Sequence, residues 1–104
     1  MAEIFSYKLV AESKPLAFDF IGVLASGETL STSSCSAIVI NGVDPSPSSI
    51  LSGSSTIVGT KVLQRIVGGV SGVTYRLVAT VTTSAGNTLL AIGDLPVYSP
   101  DKVQ

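Results

Sequence analysis

Three groups of side chains in this sequence could do chemistry: the thiol of Cys35, the glycine-rich run Gly68-Gly69-Val70-Ser71-Gly72, and a sparse set of six basic and seven acidic residues. A thiol becomes a nucleophile when a nearby base or cation favours the thiolate. The chain has no histidine, and no basic residue lies close to Cys35 in sequence. As the only cysteine, it cannot form an internal disulfide. In Ser34-Cys35-Ser36-Ala37-Ile38-Val39-Ile40, alternation puts Cys35, Ala37 and Val39 on one face, so the thiol is expected to be a small buried hydrophobe in a strand. A phosphate-cradling glycine loop opens a helix and is usually followed by a Lys-Ser/Thr pair. Here a strand pattern follows, so Gly68, Gly69 and Gly72 read as turn residues, and Gly86 as the glycine of the next turn.

The remaining sets are incomplete in the same way. Ser-His-Asp catalysis needs an imidazole, and zinc needs histidine or clustered cysteine. The acidic residues are scattered at no interval that suits a glycosidase pair. Asp44-Pro45-Ser46 lacks the run of oxygen ligands of a calcium loop. No enzyme, cofactor or metal site is expected. Lys61, Arg65 and Arg76 are expected to line one sheet face, either solvated or bridged to an acidic neighbour.

The elements that would carry these residues are strands. From Tyr75 to Val81 the odd positions Tyr75, Leu77, Ala79 and Val81 can face one way, and Arg76, Thr80 and Thr82 the other. Leu16 to Gly22 reads as an earlier strand with Phe18 and Phe20 on one face, starting after Pro15 interrupts the chain. Leu24 to Leu30 follows, with turn chemistry at Ser26-Gly27-Glu28. The Cys35 strand ends at Asn41-Gly42, a turn signal, and Asp44 to Ser49 is a loop. Leu51 to Ser55 is Gly/Ser-rich. Thr56 to Val67 forms one long strand or two broken at Gly59, and Asn87 to Leu95 is the last strand, closed by Pro96. Strands at spacings of roughly 8–12 residues predict a β-sandwich. Tyr75, just after a glycine-rich bend, sits where a tyrosine corner would bond its hydroxyl back to the backbone.

Composition agrees with one packed domain. Of 104 residues, 45% are apolar and only 12% charged, and the net charge is −1. This balance gives no electrostatic footprint for nucleic acid or an anionic membrane. No apolar run reaches membrane-span length, and the N-terminus lacks the pattern of a signal peptide. Sixteen serines and nine threonines take the place of charge, which suits a chain living against other protein surfaces. Residues 1–15 are expected to form an N-terminal arm or edge strand, 16–98 the sandwich and 99–104 a polar tail. Ile4, Phe5, Tyr7 and Leu9 on the arm, with Lys61 and Arg65, are the candidate interface residues.

Several segments in order carry a family resemblance: Phe18-Asp19-Phe20, Gly27-Glu28-Thr29-Leu30, Gly68-Gly69 with Gly72, Thr74-Tyr75-Arg76-Leu77, and Thr82-Thr83-Ser84-Ala85-Gly86. Together they resemble small immunoglobulin-like virion structural proteins of tailed bacteriophages. The resemblance spans roughly residues 16 to 97, with a longer, Pro/Ser-rich segment at 44–55. It implies an immunoglobulin-like antiparallel sandwich of about seven strands, made in the host cytoplasm and resident in the virion. The leading expectation is a capsid decoration or cement protein that docks on the major capsid protein and is homo-oligomeric in the particle. A neck, tail or fibre component is the structural alternative. A host-glycan-binding module is a second one, although sugar sites favour exposed aromatics and the chain has few.

Overall fold

The computed structural model describes the backbone of residues 2–4 and the whole of residues 8–99. Phe5 and Tyr7, the side chain of Ile4 and residues 100–104 lie outside the described set. Eight strands are described: β1 (Ala2–Ile4), β2 (Lys8–Leu9), β3 (Lys14–Asp19), β4 (Leu30–Asn41), β5 (Leu51–Val58), β6 (Lys61–Ile66), β7 (Thr74–Thr83) and β8 (Thr88–Tyr98). Short 3-10 turns at Ile21–Val23 and Pro47–Ile50 are the only helical elements among the described residues. The strands form two sheets. One runs β1-β8-β7-β4 with β2 also on β8, and the other runs β3-β6-β5.

The fold is the all-β, two-sheet sandwich that the alternation predicts. Tyr75, Leu77, Ala79 and Val81 of β7 are buried and their neighbours half-buried, strictly in alternation. Val62, Gln64 and Ile66 point inward from β6, Leu16 and Phe18 from β3, and Leu95 and Val97 from β8. Phe20, just past β3, joins the same core, and Ile50 enters it from its 3-10 turn. Burying this single apolar layer between the sheets is the main driving force for the fold.

The structure corrects the expected boundaries in several places. Pro15 lies inside β3, opposite Arg65, because β3 is a sheet edge where a missing N–H costs no ladder bond. Residues 24–29 are loop, with a turn closed by the Glu28 N–H on the Ala25 carbonyl at 3.0 Å. Leu51–Ser55 is strand despite its glycine and serines, because the ladder passes from Ser52↔Arg65 to Thr56↔Leu63 through a bulge at 53–55. The break at Gly59 makes two strands of the following run. Pro96 sits within β8, which continues to Tyr98. Finally, β1 and β2 both pair with β8 in parallel, so the larger sheet is mixed rather than purely antiparallel.

Candidate interaction surfaces

Two polar clusters brace the ends of the sandwich. At one end, the buried Tyr75 hydroxyl accepts the Val70 N–H at 2.9 Å and donates to Asp44 Oδ2 at 2.6 Å. Asp44 Oδ1 accepts the Ser46 N–H at 2.9 Å. Burial, then the bond to Asp44, pushes the phenol up to about 12. The bonds from Tyr75 and from the Ser46 backbone hold the Asp44 carboxyl below its usual range. The glycine run makes this geometry possible. Gly69 has φ +98° and lies against the Tyr75 ring and Val97, where a Cβ would come within 3.2 Å of the Val97 methyls. Gly68, Gly72 and Gly86 are also in the left-handed region. At the same end, the Lys8 side chain is fully buried, and its Nζ donates to the carbonyls of Gly68 at 2.6 Å and Leu9 at 2.8 Å. Burial lowers its pKa.

At the other end, Glu28 gathers the β7–β8 hairpin. Its Oε2 accepts from the Thr83 hydroxyl and from Asn87 Nδ2, the latter at 2.9 Å, and its Oε1 accepts the Ala25 N–H at 2.9 Å. These bonds, led by Thr83, hold its carboxyl below the usual range. Beside this end is a mostly apolar cleft of about 240 Å³, lined by Phe18, Phe20, Val23, Leu90, Ala91 and Ile92 with the charged Asp19 among them. Val23 and Leu90 are 62% and 60% exposed, and Ile21 on the same turn is 67% exposed.

The outer face of the larger sheet is a second apolar surface. Residues directly paired across a sheet share a face. Ile38 therefore lies in one row with Arg76 and Asp94, and Ser36 in the next with Val78 and Ile92. Ile38 and Ile40 are 51% and 43% exposed. Arg76 grips Asp94 with bonds of 2.8 and 3.1 Å, so the only charges within these rows neutralise each other. The hydrogen bond to Asp94 raises the guanidinium pKa, and the same contact holds the carboxyl down.

The structure does not unite Lys61, Arg65 and Arg76 on one face. Lys61 and Arg65 are exposed on β6 of the smaller sheet, whereas Arg76 belongs to the larger one. Their positions differ because the chain crosses between sheets from β6 to β7. Leu9 is half-buried in β2 against β8. Cys35 is half-buried, and burial raises its thiol pKa. It lines a serine-rich cleft of about 230 Å³ between β4 and β5, where the Ser33 and Ser55 hydroxyls meet at 2.7 Å. Among the described residues, no group of three or more acidic or cysteine side chains is placed to hold a metal, and no helix is long and apolar enough to cross a membrane.

Sequence reasoning missed Ile21, Val23, Ile38, Ile40 and Leu90 as surface residues. The signal for the β4 pair was present: Ile38 and Ile40 stand at the positions opposite Cys35, Ala37 and Val39, so the strand is apolar on both faces. Residues 8–91 match a family model, Gp77, described as podophage GP4 fiber-tail adaptor protein gp77. No curated protein and no solved structure matches the chain.

Proposed function

The chain belongs to the podophage fiber-tail adaptor family Gp77, and on that premise we propose that it is a non-enzymatic virion protein joining tail to fibre. The family match over residues 8–91 carries this reading. It favours the tail and fibre alternative over capsid decoration, and other virion proteins over the major capsid protein as partners. The chemistry agrees, because the shaped polar groups are spent on bracing the fold. Tyr75, Asp44, Glu28, Thr83 and Lys8 all have internal partners. What the molecule offers outward is apolar surface at one end and on one sheet face, together with hydroxyl-bearing strands, which suits docking rather than turnover. An immunoglobulin-like relationship and assembly of several copies around the tail complete the proposal.

Particles made without this chain test it. The expected result is DNA-filled heads with tails that lack fibres, and recovery when the protein is added back. Quantitative mass spectrometry of complete particles should then give a few per cent of the copy number of the major capsid protein. Heads that leak or burst, or a ratio near one copy per capsid subunit, would return the protein to the shell.

A further inference from the structure

The chain holds two asparagines, Asn41 and Asn87, and the fold treats them oppositely. Asn87 lies in the β7–β8 turn with its amide tied down. Its Nδ2 donates to Glu28 Oε2 at 2.9 Å, its N–H donates to the Thr83 hydroxyl at 3.3 Å, and its carbonyl accepts the Thr83 N–H at 2.9 Å. The branched Thr88 follows it. Asn41 ends β4 and is exposed, and its side chain makes no hydrogen bond among the described residues. Gly42 follows, and Val43 beyond it is 82% exposed. Alternation along the ladder sets where the Gly42 N–H points. Val97 donates to the Val73 carbonyl, so the odd residues of β8, and Tyr75 opposite Leu95, turn their backbone groups to each other. Thr74 therefore turns its groups to β4, where it meets Asn41. Gly42, one residue on, presents its N–H away from β7, where it donates to no acceptor among the described residues. Glycine is required at this position. Its φ is +93°, and a Cβ would come 2.9 Å from the Val73 side chain and 3.1 Å from the Gly72 carbonyl oxygen. The fold thus holds beside Asn41 the one residue type with no side chain to hinder ring closure.

We infer that Asn41-Gly42 is a site of spontaneous deamidation whose isoaspartate product loosens the Tyr75 corner. The Gly42 nitrogen attacks the Asn41 side-chain amide carbon. A C–N bond forms and the bond to Nδ2 breaks. The Gly42 amide proton is lost to solvent, and Nδ2 leaves as ammonia with a proton in its place. The five-membered succinimide then takes up one water. Opening at one carbonyl gives aspartate on an ordinary backbone. Opening at the other gives isoaspartate, whose main chain runs through the side-chain carbons. Nothing is oxidised or reduced, and water is the only co-reactant. Isoaspartate lengthens the main chain by one carbon between the Asn41–Thr74 pair and Asp44. Only Gly42 and Val43 lie between Asn41 and Asp44. Gly42 is packed closely on residues 72 and 73, and Asp44 Oδ2 holds the Tyr75 hydroxyl at 2.6 Å. The added atom must therefore displace one of these two contacts. The aspartate product places its charge at an exposed position and leaves the backbone path unchanged. The inference does not depend on the tail–fibre reading, since it rests on this turn alone.

The test is ageing of the full chain in mildly alkaline buffer, followed by peptide mapping with fragmentation that separates aspartate from isoaspartate. Asn41 should convert roughly tenfold or more faster than Asn87, and nearly as fast in the folded chain as in urea. The isoaspartate form, isolated by chromatography, should melt roughly 4–8 °C below fresh protein, the size of one lost hydrogen bond. Asn41→Asp carries the charge without the extra carbon and should melt with wild type. Asn41→Ser should show no drift in melting temperature on ageing. An Asn41 that converts no faster than Asn87, or that converts only in urea, overturns the site. An isoaspartate form that melts with fresh protein, or an Asn41→Asp variant as unstable as that form, overturns the link to the corner.

Discussion

Tyr75→Phe removes one oxygen from the braced end of the sandwich and nothing else. The Tyr75 hydroxyl satisfies the Val70 N–H at 2.9 Å and reaches Asp44 Oδ2 at 2.6 Å, and the residue is fully buried. Losing the acceptor strands a part-buried N–H, and such losses cost roughly 1–3 kcal/mol. For a domain of this size that lowers the melting temperature by about 5–12 °C. Tyr75→Ala also opens a cavity and should cost about 3–5 kcal/mol. The comparison is sharpened by pH. The phenol's folded pKa is raised to about 12 from 10.0. The folded state therefore holds its proton while the unfolded state loses it. The contribution is complete below about pH 10 and is lost as pH rises towards 12. Lys8 acts with the opposite sign in its own window. Its folded pKa is lowered, so its penalty is relieved as pH rises from that lowered value towards 10.5. Subtracting the Tyr75→Phe melting curve from wild type across the alkaline range isolates the tyrosine. A variant that melts with wild type at neutral pH, and shows the same alkaline slope, would refute the corner as a stabilising element.

Gly42→Ala should cost about 1–3 kcal/mol in chemical denaturation, because φ is +93° and the new Cβ would come 2.9 Å from the Val73 side chain and 3.1 Å from the Gly72 carbonyl oxygen. Lys8→Ala should loosen the β2 end of the sheet, read as faster hydrogen exchange at Val10 N–H, which donates to the Tyr98 carbonyl. Unchanged protection would mean that the lysine does not pin this segment. Glu28→Gln should flatten the acid limb of the stability profile. The wild-type carboxylate has a lowered folded pKa, so its contribution is present above the unfolded value of about 4.3 and is lost as pH falls through the folded one. Parallel acid limbs for the two proteins would dismiss that role.

The local pattern of this sequence determined several of the strands and their inward faces. Period-two alternation is a property of each strand alone, so Tyr75, Leu77, Ala79 and Val81, or Val62 and Ile66, could be placed in a core before any pairing was known. The glycine run and the position of Tyr75 foretold a corner, because a left-handed backbone and a phenol after it are local features. The partner Asp44 was not legible, since it comes from a loop 31 residues away. The parallel docking of β1 and β2 on β8 and the strand character of 51–55 were decided by pairing partners, which override weak propensity. So was the separation of Arg76 from Lys61 and Arg65, because which sheet a strand joins depends on its crossovers and not on its own residues. The surfaces were the least legible of all. Whether Ile38, Val23 or Leu90 is exposed depends on what lies across the sheet or beside its edge, and only the tertiary arrangement supplies those neighbours.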